Sequence, residues 1–172
     1  VMTGIGPALK YYFNRKKRSG YDLYLSLPIR AAVSGDWDDE LTVDYRGIQS
    51  KLILNYENYD FLPDKKLKFS AAVSVGYIDS DLADYYYGVD AAYATTERGQ
   101  YSAEGGYAGA GLSVDVTYHV VDRFSIRLYS NIDILSGTAF EDSPLVQDDV
   151  NFSAGIALIY SLIQSGTRVE RD

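Results

Sequence analysis

From Tyr21 to Val33, every second residue is apolar: Tyr21, Leu23, Leu25, Leu27, Ile29, Ala31 and Val33. The positions between them include Asp22, Ser26, Arg30 and Ser34. The same rhythm returns from Lys66 to Tyr77, where Leu67, Phe69, Ala71, Val73, Val75 and Tyr77 oppose Lys66, Lys68, Ser70 and Ser74. It returns again from Ala108 to His119, where Ala108, Ala110, Leu112, Val114, Val116 and Tyr118 oppose Ser113, Asp115, Thr117 and His119. Side chains on a strand point to opposite faces with period two, so these segments predict strands that are apolar on one face and polar on the other. Strands of soluble sheets usually run about 5–6 residues. A strand tilted across a bilayer needs about 9–11. Length and alternation together predict an all-β, antiparallel, up-and-down transmembrane β-barrel.

Period and turn signals place about seven long strands, near 2–13, 21–34, 41–56, 66–78, 107–119, 123–136 and 150–163. The third changes parity, from Leu41, Val43 and Tyr45 to Leu52, Leu54 and Tyr56, which predicts a bulge near Gly47–Ser50. The sixth sets Phe124, Ile126, Leu128, Ile132 and Ile134 against Arg127, Asn131 and Asp133. The last sets Val150, Phe152, Ala154, Ile156, Leu158, Tyr160 and Leu162 against Asn151 and Ser153. A barrel domain over 1–163 and a polar tail over 164–172 follow, with no helix of consequence.

The connections differ by parity. The odd ones are Asn14–Gly20, Glu57–Lys65 and Val120–Asp122; the even ones are Gly35–Glu40, Asp79–Gly106 and Gly137–Asp149. Barrels of the outer membrane have short periplasmic turns and longer external loops, which assigns the odd set to the periplasm. The last strand then descends, leaving the C-terminus in the periplasm. The first visible strand also descends, so an odd number of strands, and an export signal, are expected to precede it.

Composition narrows the chemistry. The chain is 47% hydrophobic, with a mean hydropathy of -0.17. That pairing suits a barrel that is apolar outside and polar inside. No stretch approaches the ~20 apolar residues of a membrane helix. Tyrosine is in excess, with 17 Tyr and 6 Phe against one Trp, as interfacial aromatic girdles require. There is no cysteine, which excludes disulfides, thiolate metal sites and cysteine nucleophiles. One histidine, His119, leaves no multi-histidine site. A net charge of -8 argues against nucleic-acid binding.

The charges on the polar face are Asp22, Arg30, Asp44, Arg46, Lys68, Asp115, Arg127 and Asp133. An Arg or Lys facing lipid at the midplane would cost about 2–4 kcal/mol, so these residues are placed in the lumen. They line either a pore or an interior braced by ion pairs; a narrow barrel favours bracing. The outer loops are acidic, and Asp79-Ser80-Asp81 has the start of a calcium loop without its glycine and terminal glutamate, so a solvated rim is the expectation. Glycines in Gly4-Ile5-Gly6-Pro7 and Gly109-Ala110-Gly111 open no helix and read as close packing in a sheet, not as phosphate loops. No catalytic set stands out. Non-enzymatic function with no metal and no cofactor is the expectation.

Five segments carry a family resemblance: Gly4–Phe13, Tyr24–Arg30, Asp84–Val89 (with Tyr-Gly-Val), Tyr107–Leu112 and Glu141–Val146 (with Asp-Ser-Pro-Leu-Val). Over nearly its whole length the chain resembles the MltA-interacting proteins, the MipA/OmpV family of outer-membrane proteins. The resemblance implies a barrel in the outer membrane of a Gram-negative cell, contacting its lipid. It also implies a scaffold joining a murein transglycosylase to a penicillin-binding protein. The chain departs from the pattern in ending on Arg168–Asp172 rather than on an aromatic residue. On this reading the periplasmic turns bind the partner, through Arg15, Lys16, Lys17 and Arg18 with Tyr59 and Phe61 as apolar anchors. The alternatives are a porin for small solutes and a soluble lipocalin-like binding barrel with its faces inverted.

Overall fold

The computed structural model describes residues 2–15, 20–36, 42–59, 61 and 66–162. Its strands are β1 (Met2–Ile5), β2 (Ala8–Asn14), β3 (Tyr21–Asp36), β4 (Thr42–Asn58), β5 (Leu67–Ile78), β6 (Gly106–Val121), β7 (Phe124–Ile134) and β8 (Val150–Tyr160). They form one 8-stranded antiparallel sheet, curled into a half-barrel. From β3 to β8 each strand pairs with the next in sequence, the expected up-and-down order. The predicted first strand is two strands, and both pair with β3. The break falls at Gly6-Pro7, where proline has no N–H for the ladder. The Pro7 carbonyl still accepts a bond from Ile29 N–H at 2.9 Å. Even the 11 residues of β7 or β8 rise about 37 Å at antiparallel spacing, enough to cross a hydrocarbon core when tilted.

Register turns the alternation into two continuous surfaces. Tyr11, Leu25, Leu54, Val73, Leu112, Ile132 and Phe152 are successive cross-strand partners from β2 to β8. One residue along, Tyr12, Tyr24, Asn55, Ala72, Ser113, Asn131 and Ser153 form the adjacent row on the opposite face. The apolar face stands open: Phe152 is 68% exposed, Ile156 71% and Leu158 69%. The buried core lies elsewhere. Ala32 of β3 and Ile78 of β5 contribute to it from the polar face, and loop residues Leu82, Ala83, Ala103 and Phe140 complete it.

Two bulges set this arrangement. Opposite Ala32/Val33, β4 inserts one residue beside Gly47, at the edge of the segment where the parity change predicts it. Gly47 has φ 129, a region that residues with a Cβ rarely enter. The second bulge lies in β6, opposite Val75/Tyr77, at Gly109 with φ 101. It corrects the expected face of Ala108. Above the bulge the parity reverses, so Ala108 leaves the apolar face and joins the core.

A helix, α1 (Ser80–Tyr87), occupies the loop between β5 and β6, where the sequence predicts none of consequence. Asp79 is its N-cap, the Oδ1 accepting Leu82 N–H at 3.0 Å. The start of the supposed calcium loop is therefore a helix cap. A 3-10 turn follows at Ala91–Tyr93. The last strand ends at Tyr160, and the tail 164–172 lies outside the described residues.

Candidate functional site

The polar face carries a different arrangement at each end. At the end bearing the β2–β3 and β4–β5 turns, Glu57 is the centre. The expected strand boundary puts Glu57 in a turn, but β4 continues to Asn58 and turns its carboxylate onto the polar face. Tyr24 donates its hydroxyl to Glu57 Oε1 at 2.8 Å, and Tyr59 donates to Oε2. Lys68 from β5 pairs with the same oxygen at 3.0 Å and lies 4.6 Å from the centre of the Tyr59 ring. Asp22 is the register partner of Glu57 on β3. Burial first, then the hydrogen bond to Glu57, push the Tyr59 phenol above its ordinary value.

An aromatic ladder extends from this hub across β3 to β2. The rings of Tyr12 and Tyr24 are 4.9 Å apart. The Arg15 guanidinium lies 4.6 Å from the Tyr12 ring, and Lys10 Nζ 5.3 Å from the Tyr24 ring. Arg15 thus stands beside Tyr12, while Lys16, Lys17 and Arg18 lie outside the described residues. Tyr59 is half-buried and engaged with Glu57, whereas Phe61 is exposed and rests 5.5 Å from the Phe69 ring.

Four of the remaining expected lumen charges form two local pairs, Arg46 with Asp44 and Arg127 with Asp115. Arg46 bonds Asp44 at 2.9 Å and Ser34 Oγ at 2.6 Å, and stacks 4.8 Å from the Tyr85 ring of α1. Arg127 pairs with Asp115, which also accepts from Thr117 Oγ1 at 3.2 Å. Arg30 sits opposite Gln49 in register and lines a cavity of about 270 Å³ beneath Tyr87 and Phe140. Asp133 sits opposite Gly111. The ion pairs Arg46–Asp44, Lys68–Glu57 and Arg127–Asp115 link residues on one strand or on neighbouring strands.

At the other end, α1 and the loop before β8 interlock. Ser143 donates its hydroxyl to the Tyr87 carbonyl at 2.6 Å, and the Tyr87 and Phe140 rings stack at 3.8 Å with 6° between planes. The segments Asp84–Val89 and Glu141–Val146, far apart in sequence, therefore meet in one latch. Asp84 Oδ1 accepts Ala103 N–H at 2.9 Å and Ser102 Oγ at 3.2 Å. Beside α1 opens a cavity of about 590 Å³ lined by Tyr45, Arg46, Asp81, Asp84 and Asp90, among others. Among the described residues, no group of three His, Cys, Asp or Glu is arranged to hold a metal.

Residues 3–162 match the family model described as MltA-interacting protein MipA. The chain belongs to the MipA family. The match covers β2 to β8 whole and nearly all of β1. The family is named for an interaction and not for a reaction. No curated protein and no solved structure matches the chain. No helix among the described residues is long and apolar enough to cross a membrane, which leaves open a crossing by strands.

Sequence reasoning missed Glu57, Tyr24 and the Tyr87–Ser143 latch. An acidic residue directly after the alternation that ends at Tyr56 was the available signal for Glu57. For α1, it was Asp79 set three residues before Leu82, a helix-capping distance.

Proposed function

We propose that this MipA-family chain is a non-enzymatic β-barrel of the Gram-negative outer membrane that anchors peptidoglycan-remodelling enzymes. Its partners on this reading are a murein transglycosylase, as the family name suggests, and a penicillin-binding protein. One observation carries the membrane half of the proposal. The apolar face runs from Tyr11 on β2 to Phe152 on β8 and stands open, while the core packs against the opposite face. In water such a face would be a large exposed apolar patch; in a bilayer it is the lipid contact. A lipocalin-like barrel would need its core on this apolar face, which runs against the position of Leu82 and Phe140.

The anchoring half rests on the family. The polar-face cluster from Arg15 to Lys68 lies at the end of the sheet that the loop lengths assign to the periplasm, where murein enzymes work. Its exposed Arg15 and Lys10 supply charge, and at the same end Phe61, beside Phe69 of the apolar face, supplies an apolar contact of the kind used in docking. The test is membrane fractionation followed by capture of a purified murein transglycosylase on the detergent-solubilised protein. Retention in the outer membrane, a heat-shifted gel band and saturable capture are expected. A protein soluble without detergent would remove the barrel; an embedded protein that captures no transglycosylase would remove the scaffold.

A further inference from the structure

Where the cap sits, the wall of the polar face changes character. Lower down it carries Ser, Asn, Asp and Lys; under α1 it carries Ala32, Gly47, Gly76, Ile78 and Ala108. Small residues leave room; Leu82, Ala83 and Phe140 take up part of it, and a cavity of about 270 Å³ remains beneath Tyr87 and Phe140. Leu82 and Ala83 of α1 are 0% exposed, and Phe140 is 1% exposed. A Cβ on Gly47 would stand 2.2 Å from Asp79 Oδ1 and 2.7 Å from Leu82 N, so the helix start lies directly on the β4 backbone. Asp79 Oδ2 accepts Ile48 N–H at 2.6 Å, and Asp79 N–H donates to the Ile48 carbonyl at 2.9 Å. The other end of α1 reaches β1, where the Tyr86 hydroxyl meets Met2 Sδ at 2.8 Å. The loop before β8 is tied in through Ser143 and Phe140. The cap therefore touches β1, β3, β4, β5 and β6 at one end. A loop that merely extended into water would not bury Leu82 and Phe140 against a matching recess.

From this fit we infer that α1, with the loop 137–146, is a resident plug that seals the loop-side mouth of the barrel. Passage of solutes then requires displacement of the cap. The inference rests on the barrel reading above. It places closure in a docked element and not in the ion pairs of the polar face, which stay local to neighbouring strands.

Ile78 and Gly106 are register partners, so a two-residue Asn-Gly turn can replace residues 79–105 without altering β5 or β6. The purified wild type, this deletion and Gly47→Leu, which displaces α1 with the chain intact, are compared in planar bilayers. A heat-shifted gel band reports barrel assembly. Wild type should show no steady open level, and each variant should carry steady currents at least about tenfold larger. If the deletion does not assemble, Gly47→Leu decides alone. Assembled variants as closed as wild type would overturn the plug, and so would a wild type with large steady currents. A wild type absent from the outer membrane removes the barrel reading and the plug together; an embedded wild type that conducts freely removes only the plug.

Discussion

Removing the Glu57 carboxylate should weaken the sheet more than removing any one surface charge. Two phenols donate to it, Tyr24 at 2.8 Å and Tyr59, and Lys68 pairs with it at 3.0 Å. Hydrogen bonds to a charged group contribute about 1.5–3 kcal/mol each, and at a half-buried site the low end applies. The Glu57 side chain is 20% exposed and that of Lys68 31%, so the ion pair adds about 0.2–1 kcal/mol. The phenols regain part of this from water at the mouth. Glu57→Ala should then cost about 2–3 kcal/mol, and Glu57→Gln, which keeps an acceptor, about 1 kcal/mol. Urea unfolding of the protein reconstituted in vesicles, followed by tyrosine fluorescence, measures both. A double-mutant cycle with Tyr24→Phe should return a coupling of about 1 kcal/mol, larger than the cycle with Lys68→Met. A Glu57→Ala protein within about 0.5 kcal/mol of wild type would refute the reasoning, because a hub already solvated loses nothing when deleted.

Val73→Arg, on the apolar face, should cost about 2–4 kcal/mol and reduce assembly into vesicles, whereas Ser113→Arg on the polar face should be tolerated; equal effects would mean that neither face meets lipid. Replacing Arg15, Lys16, Lys17 and Arg18 with serine should weaken transglycosylase capture and leave the heat-shifted band unchanged; unchanged capture removes these residues from the contact. Burial, and then the neighbouring Tyr86, push the Tyr87 phenol up, so its neutral form is favoured in the folded cap. That contribution is full below about pH 10 and is lost as pH rises through the raised folded value. Titration at 295 nm should therefore show one late phenol fewer in Tyr87→Phe, and an identical titration would contradict the buried stack.

The two faces were not equally legible. Which residues share the apolar face depends only on counting by two within a strand, and that count survives any register that sets one apolar row against the next. Leu54, Val73 and Leu112 thus lie side by side as their spacing predicts. It failed at Ala108, because one positive-φ glycine, Gly109, reverses parity, and a glycine in a small-residue run carries no mark of its φ. The helix α1 failed for another reason. Eight residues are too short to stand by propensity, and the helix is held by Asp79 reaching Ile48, 31 positions back. Such a bond is invisible to any local window.

Partners on the polar face need register as well as period. Glu57 and Lys68 meet because Asn58 faces Phe69, a pairing set by the turn between β4 and β5. Of the charges expected to brace the lumen, Asp44 pairs with Arg46 and Asp115 with Arg127. Arg46 and Asp44 are two apart on one strand, however, and Arg127 and Asp115 lie on adjacent strands. Pairs of this kind offset the cost of charge on the polar face without crossing it. They leave the space above the sheet to whatever the loops place there, and the loops place Leu82 and Phe140 at one end. At the other end, Lys10 and Arg15 are steadied by tyrosine rings. A ring holds a cation in position without cancelling its charge. The polar face therefore pairs part of its charge along the wall, carries apolar side chains at one end, and holds Lys10 and Arg15 against tyrosine rings at the other.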